Sequence, residues 1–115
     1  MDSHTYIYIF HTLVVAPLFI YIGLARSAVP DALFTMLGVM AAGIFFYHMY
    51  LAYGKIKEGK SAWVNWIHIF LVVPLLMILA RSKKDASQRY FEMLMMLGFA
   101  AFGYHGMYLA RSLVF

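Results

Sequence analysis

The stretch that decides the fold is residues 3–25, SHTYIYIFHTLVVAPLFIYIGLA, which runs between Asp2 and Arg26 without a charged side chain. A transmembrane α-helix needs about 20 apolar residues, within a range of about 17–25. Charge-free segments of similar length follow at residues 32–54, 61–80 and 93–110. The sequence therefore predicts an all-α integral membrane protein with four transmembrane helices.

The overall composition excludes several other classes of protein. Of the 115 residues, 64% are hydrophobic and 12% are charged, against about 45–50% and about 25% in soluble domains. A chain this short cannot bury so much apolar surface by folding alone. The absence of cysteine excludes disulfides, thiolate metal sites and covalently attached haem. A net charge of +4 spread over several turns predicts a lipid bilayer, and no nucleic acid, as the partner.

Short connectors between the charge-free segments predict antiparallel neighbours and an up-down four-helix bundle. The whole chain, residues 1–115, is then one membrane domain. Four crossings place both termini on the same side of the membrane. Five basic residues flank the first and third connectors and four lie on the side of the termini, so this charge balance leaves the orientation open.

An internal repeat appears when the sequence is aligned with a copy of itself so that His11 matches His68. We call this shift in residue number the repeat offset. HTLVVAPL at 11–18 then meets HIFLVVPL at 68–75, and YHMYLA at 47–52 is followed by YHGMYLA at 104–110. We interpret the chain as two tandem two-helix repeats, residues 3–54 and 61–115. Because each copy crosses the membrane twice, the copies should be related by a pseudo-twofold axis along the membrane normal.

Four histidines carry the candidate chemistry, one in each predicted helix: His11, His48, His68 and His105. They lie six to nine residues from the nearest charged residue on the side of the termini, which corresponds to a depth of roughly 9–13 Å. The sequence therefore predicts one histidine layer inside the membrane. His4 lies outside the repeat, and we expect a structural role for it.

Small residues and prolines accompany these histidines. Ala41 and Gly98 stand seven residues before His48 and His105, where they can admit a bulky or flat group, such as a cofactor, or simply allow close helix packing. Pro17 and Pro74 each remove one helical hydrogen bond, to the carbonyl four residues back. We expect a kink there, either widening a cavity near the histidines or having no functional role.

Ionisable groups inside a membrane are costly and usually functional. Imidazole is a good ligand for iron, copper and zinc, so the sequence predicts a small haem- or metal-binding protein in redox or electron transfer. The cofactor is either haem b, held axially by His11 with His68 or His48 with His105, or a single metal ion held by the four histidines. In plan, the arrangement resembles four-helix membrane cytochromes of the b type, at the level of architecture alone.

Two other functions stay open at this point. The histidine layer can gate a proton or ion channel, or the histidines can serve as interhelical hydrogen-bonding groups of a non-catalytic scaffold or assembly factor. A redox partner or a second copy of the chain is the expected protein partner. No serine or carboxylate lies at histidine depth, so the side chains that hydrolytic catalysis needs are missing there. Whether the protein is an enzyme is left open.

Overall fold

The computed structural model describes residues 3–114 and contains no strand in that range. Its four helices are α1 (Ser3–Ala28), α2 (Asp31–Lys57), α3 (Trp63–Asp85) and α4 (Gln88–Val114). Each is long and apolar enough to cross a membrane, which confirms the predicted helical class and the number of such helices. Asp2, which bounds the first charge-free segment, and Phe115, which ends the second predicted repeat, lie outside the described residues.

Irregular turns occur at matching places in α1 and α3. A π-helical turn covers His11–Val15 in α1 and His68–Val72 in α3, and a 3₁₀ turn ends each helix, at Arg26–Ala28 and Lys83–Asp85. Each turn in α3 begins and ends one repeat offset after its counterpart in α1. The same offset separates the bounds of α2 from those of α4.

Each π-helical turn ends two residues before a proline, Pro17 in α1 and Pro74 in α3. The backbone N–H of Ala16 donates to the carbonyl of His11, and that of Val73 donates to the carbonyl of His68, five residues back in each case. Proline lacks an N–H, and its ring crowds the carbonyl four residues earlier. A turn widened by one residue relieves that crowding, so each helix is wider between its histidine and its proline.

The end of α2 lies beyond the predicted end of the first repeat. The helix continues past Gly54 to Lys57, because the residue that stops it is Gly59, whose φ of +71° suits a residue without Cβ. The N–H of Lys60 then donates to the carbonyl of Lys55 at 2.8 Å, which is the pattern of a Schellman C-terminal cap.

Two basic residues adopt an unusual backbone conformation at the start of the 3₁₀ turns that end α1 and α3. Arg26 has φ +50° and Lys83 has φ +53°, in the left-handed region that costs residues with a Cβ about 1–3 kcal/mol. The repeat offset also relates these two residues. Both connectors therefore use the same strained turn.

The described helices form two compact units. The first combines α1, up to Arg26, with α4, and the second is Ser27–Ala86, which contains α2 and α3. Each unit therefore takes one helix from each copy of the predicted repeat.

In the first unit, glycines bring the backbones of α1 and α4 close together. A methyl group at Gly23 would lie 2.6 Å from the Cβ of Met95, and one at Gly98 would lie 2.7 Å from the Cγ1 of Ile20 and 3.1 Å from the carbonyl of Ala16. Residue numbers increase along α4 as those of the residues they contact in α1 decrease, so these two helices are antiparallel. Small residues at such contacts are typical of membrane helix pairs.

In the second unit, α2 packs against α3 in the same antiparallel sense. A methyl group at Gly38 would lie 3.1 Å from the Cβ of Ala80, while Leu37, Leu76 and Leu79 are fully buried. The repeat offset makes Gly38 the counterpart of Met95, and Ala80 the counterpart of Gly23. The close approach therefore recurs at the same place, with the glycine on the opposite helix.

Candidate metal centre

A histidine pair lies between the two helices of the first unit. His11 of α1 and His105 of α4 stack with ring centroids 4.2 Å apart and planes inclined by 29°. His105 is 8% exposed and His11 is half-buried. The antiparallel packing through Gly98 puts these rings at the same level of the two helices.

The second unit contains an equivalent pair. His48 of α2 and His68 of α3 stack with centroids 4.0 Å apart and planes inclined by 12°. All four predicted histidines therefore take part in a ring stack within their own unit. The pairs expected from the repeat, His11 with His68 and His48 with His105, each take one residue from each unit, and they stay a prediction.

Backbone hydrogen bonds fix the protons on two of the rings. The Nδ1 of His11 is 2.8 Å from the carbonyl of Ile7, and the Nδ1 of His68 is 2.7 Å from the carbonyl of Val64. A carbonyl oxygen only accepts, so Nδ1 carries the hydrogen in both rings and the in-plane lone pair of the neutral ring is on Nε2. Histidine ligands of metals commonly have this arrangement, since the outer hydrogen bond orients the ring.

Two successive hydrogen bonds between side chains connect Lys55, Asn65 and His48. The Nζ of Lys55 donates to Oδ1 of Asn65 at 2.7 Å, and Nδ2 of Asn65 lies 2.9 Å from Nδ1 of His48. Asn65 is 2% exposed. This buried amide is a part of the site that the sequence interpretation did not assign, although Asn65 is three residues before His68 and Lys55 is seven after His48.

Two aromatic rings lie beside His105. The ring of Tyr8 is 6.2 Å from that of His105, and the ring of Tyr104 is 5.1 Å from it. Tyr8 also stacks on Tyr108 at 5.5 Å, and the guanidinium of Arg111 lies 5.8 Å from the Tyr108 ring. The described neighbours of the two pairs therefore differ: aromatic rings lie beside His105, and the Asn65 amide lies beside His48.

The first pair belongs to a group of histidines that lie close enough together to share a metal ion. One ring nitrogen of His11 and one of His105 lie within 4.8 Å of each other. Two nitrogens bound to one tetrahedral zinc ion are about 3.4 Å apart, given Zn–N distances of about 2.0–2.1 Å. To bind one ion, the two rings would turn until both lone pairs point at it and the nitrogens approach to this distance.

The predicted small residues beside the histidines lie in different settings. At Gly98 the adjoining space is taken by Ile20 and Ala16 of α1, which favours the helix-packing interpretation there. Ala41 lines an open apolar groove of about 460 Å³ in the second unit, together with Gly38 and Pro74. A role for Ala41 and Gly98 in contacting a cofactor stays a prediction.

His4 lies apart from both stacks. It is exposed, and its ring is 6.4 Å from that of Tyr8. It therefore serves as a natural reference residue for experiments on the four paired histidines.

Comparison of the chain with models of protein families, with curated proteins and with solved structures finds no match in any of the three.

Proposed function

We propose that this protein is a small multi-pass membrane protein that holds a transition-metal centre through histidine and takes part in electron transfer. The observation that carries the proposal is the stacked pair His11–His105, in which the hydrogen bond to Ile7 leaves the Nε2 of His11 as the ligand atom. Imidazole suits iron, copper and zinc. The metal would supply the electron chemistry, and the chain would supply ligands and a dry setting.

The membrane location is supported by the side chains that face outward. Phe46 and Phe70 are 71% exposed and Val39 is 69% exposed. Exposure of such large apolar side chains is unfavourable in water and favourable in lipid. Tyr50, at 76%, lies nearer the helix end, as expected at a headgroup boundary. Four crossings in an up-down bundle would return the C-terminus to the side of the N-terminus.

A tandem repeat is part of the same proposal. Its support is the repeat offset, which relates the histidines, the π-helical turns and the strained connectors. The two stacks obey the same relation, since His11 corresponds to His68 and His105 to His48. Two parallel copies would be related by a pseudo-twofold axis along the membrane normal.

The shape of the stacks favours a metal ion over haem b as the bound group. Two axial histidines approach haem iron from opposite faces of the porphyrin, so the porphyrin plane separates them. Rings stacked 4.0–4.2 Å apart leave no such gap, so haem held by the two rings of one stack would require that stack to open. Two neighbouring ligands of one tetrahedral or tetragonal ion need a smaller change, in which the two rings turn their lone pairs toward one point.

Metal analysis and an absorption spectrum of the full chain, purified in micelles, test the proposal. We expect bound iron or copper in the wild type, with a spectrum that changes on reduction, and loss of the metal in His105→Ala. His4→Ala is the matched control and should keep the metal. A wild-type protein that is colourless and metal-free would reject the proposal, whereas a Soret band would identify haem as the bound group.

The other functions expected from the sequence give different results. A channel gated by histidine would conduct protons or ions in liposomes and stop when the four histidines are replaced. A scaffold would lose folding or partner binding in the same variant without ever holding a metal. Electron transfer, by contrast, requires a redox partner in or beside the lipid bilayer.

A further inference from the structure

The buried amide of Asn65 has one orientation, and Lys55 determines it. An ammonium group has three donors and no acceptor. The Asn65 atom that lies 2.7 Å from the Lys55 Nζ must therefore be the amide oxygen. The amide nitrogen then faces His48, 2.9 Å from Nδ1.

This orientation decides which nitrogen of His48 carries the proton. The amide nitrogen donates, so Nδ1 of His48 accepts, and the neutral ring carries its hydrogen on Nε2. A protonated ring nitrogen cannot bind a metal, and the lone pair on Nδ1 already accepts from Asn65. His48 is therefore held in the opposite tautomer to His68, whose Nδ1 donates to Val64.

The first unit has different residues at the two equivalent positions. By the repeat offset, Tyr8 corresponds to Asn65 and Ser112 corresponds to Lys55. Tyr8 presents its ring to His105 at 6.2 Å, and the hydroxyl of Ser112 donates to the carbonyl of Tyr108. The amide that fixes the tautomer of His48 is replaced by an aromatic ring beside His105.

We propose that Asn65, oriented by Lys55, is a positioning residue that prevents His48 from ligating a metal, so that the chain binds one divalent transition-metal ion at a site that includes His11 and His105, and no second ion between His48 and His68. The assignment of the ion to His11–His105 rests on the proposed function.

Zn²⁺ titration of the full chain in lipid nanodiscs, after removal of any bound metal, tests this assignment. Asn65→Asp puts a carboxylate of nearly the same shape at the amide position, which accepts from Nδ1 of His48 and moves the lone pair to Nε2. Carboxylate–histidine–metal arrangements are common. We expect the stoichiometry to rise from one Zn²⁺ per chain in the wild type to two in Asn65→Asp.

Lys55→Met gives a second route to the same outcome without altering Asn65. With the ammonium gone, the amide can rotate and offer its oxygen to Nδ1 of His48, so a second Zn²⁺ site should appear. Lys57→Met is the matched control, since the Lys57 ammonium lies over the Tyr53 ring, 5.5 Å from its centre. It should keep one site. Two sites in the wild type, or a single site in both the wild type and Asn65→Asp, would overturn the proposal.

Ring ¹⁵N spectra of the histidines provide a readout that needs no metal. We expect His48 to carry its proton on Nε2 in the wild type and Lys57→Met, and on Nδ1 in Asn65→Asp. A proton on Nδ1 in the wild type would overturn the proposal. No Zn²⁺ in the wild type with one in Asn65→Asp would reject the metal site at His11–His105 while supporting the role of Asn65.

Discussion

The imidazole rings of His48 and His68 lie almost parallel, with centroids 4.0 Å apart, yet their protons are on different nitrogens. Asn65 donates to Nδ1 of His48, whereas Nδ1 of His68 donates to the carbonyl of Val64. The pair therefore combines a donor on Nε2 of His48 with an acceptor on Nε2 of His68. Two stacked rings of the same residue type are made chemically different by one amide.

Gly98→Ala should destabilise the packing of α1 on α4. The added methyl group would lie 2.7 Å from Ile20 and 3.1 Å from a backbone carbonyl, so the helices must separate, at a cost of about 1–3 kcal/mol. Gly103→Ala, on the same helix with open space around it, is the control and should gain up to about 1 kcal/mol. Denaturant unfolding in micelles measures both, and equal effects would contradict the described contact.

Lys83→Gly should stabilise the protein by about 1 kcal/mol, because glycine adopts the φ of +53° at this position without strain. Relief of about 1–3 kcal/mol outweighs the greater flexibility of the unfolded chain. Lys84→Gly, one residue later in the same turn, should be neutral or destabilising. Denaturant unfolding compares the two variants, and a loss of stability in Lys83→Gly would show that the turn is not strained.

Pro17→Ala should weaken metal binding at the first pair. Restoring the N–H lets the π-helical turn His11–Val15 close into an α-helix, and the loss of that extra residue rotates His11 by about 100° relative to the segment that packs on Gly98. We expect Zn²⁺ affinity to fall at least about 10-fold, as for other losses of ligand orientation. Pro30→Ala, in a connector, should leave the affinity unchanged, and an equal loss there would contradict this explanation.

Glu92→Gln should have little effect on stability. The nearest oxygen of Glu92 is 3.8 Å from the Arg26 guanidinium, and both side chains are more than 40% exposed. Exposed ion pairs contribute about 0–1 kcal/mol. Unfolding in the presence and absence of 0.5 M salt (about the level at which surface pairs are largely screened) checks this, and a change above about 1 kcal/mol would contradict it.

The sequence predicts the helices well because the thickness of a lipid bilayer sets the length of a helix that crosses it. Any segment that crosses lipid needs about 20 uncharged residues, and all four such segments form helices long enough to cross. The histidine stacks are partly predictable, since the spacing from the charged residues puts His11, His48, His68 and His105 at one expected depth. Which ring meets which within a unit depends on contacts such as Gly98 against Ile20, which periodicity does not encode.

Local features depend on interactions that single-residue patterns do not specify. Pro17 and Pro74 predict a disturbed helix, but only backbone geometry selects a π-helical turn over a kink. Arg26 and Lys83 carry no sequence signal for a positive φ, since glycine is the usual residue there. Asn65 does carry a signal, because a polar residue among apolar ones within a turn or two of a histidine needs a partner.

X-ray absorption spectroscopy of the Zn²⁺-loaded chain tests most directly whether the paired histidines ligate a metal. We expect imidazole scattering from His11 and His105 with Zn–N distances of about 2.0–2.1 Å, reduced in His105→Ala and unchanged in His4→Ala. A zinc environment without imidazole scattering, or one that His105→Ala leaves unaltered, would contradict this expectation.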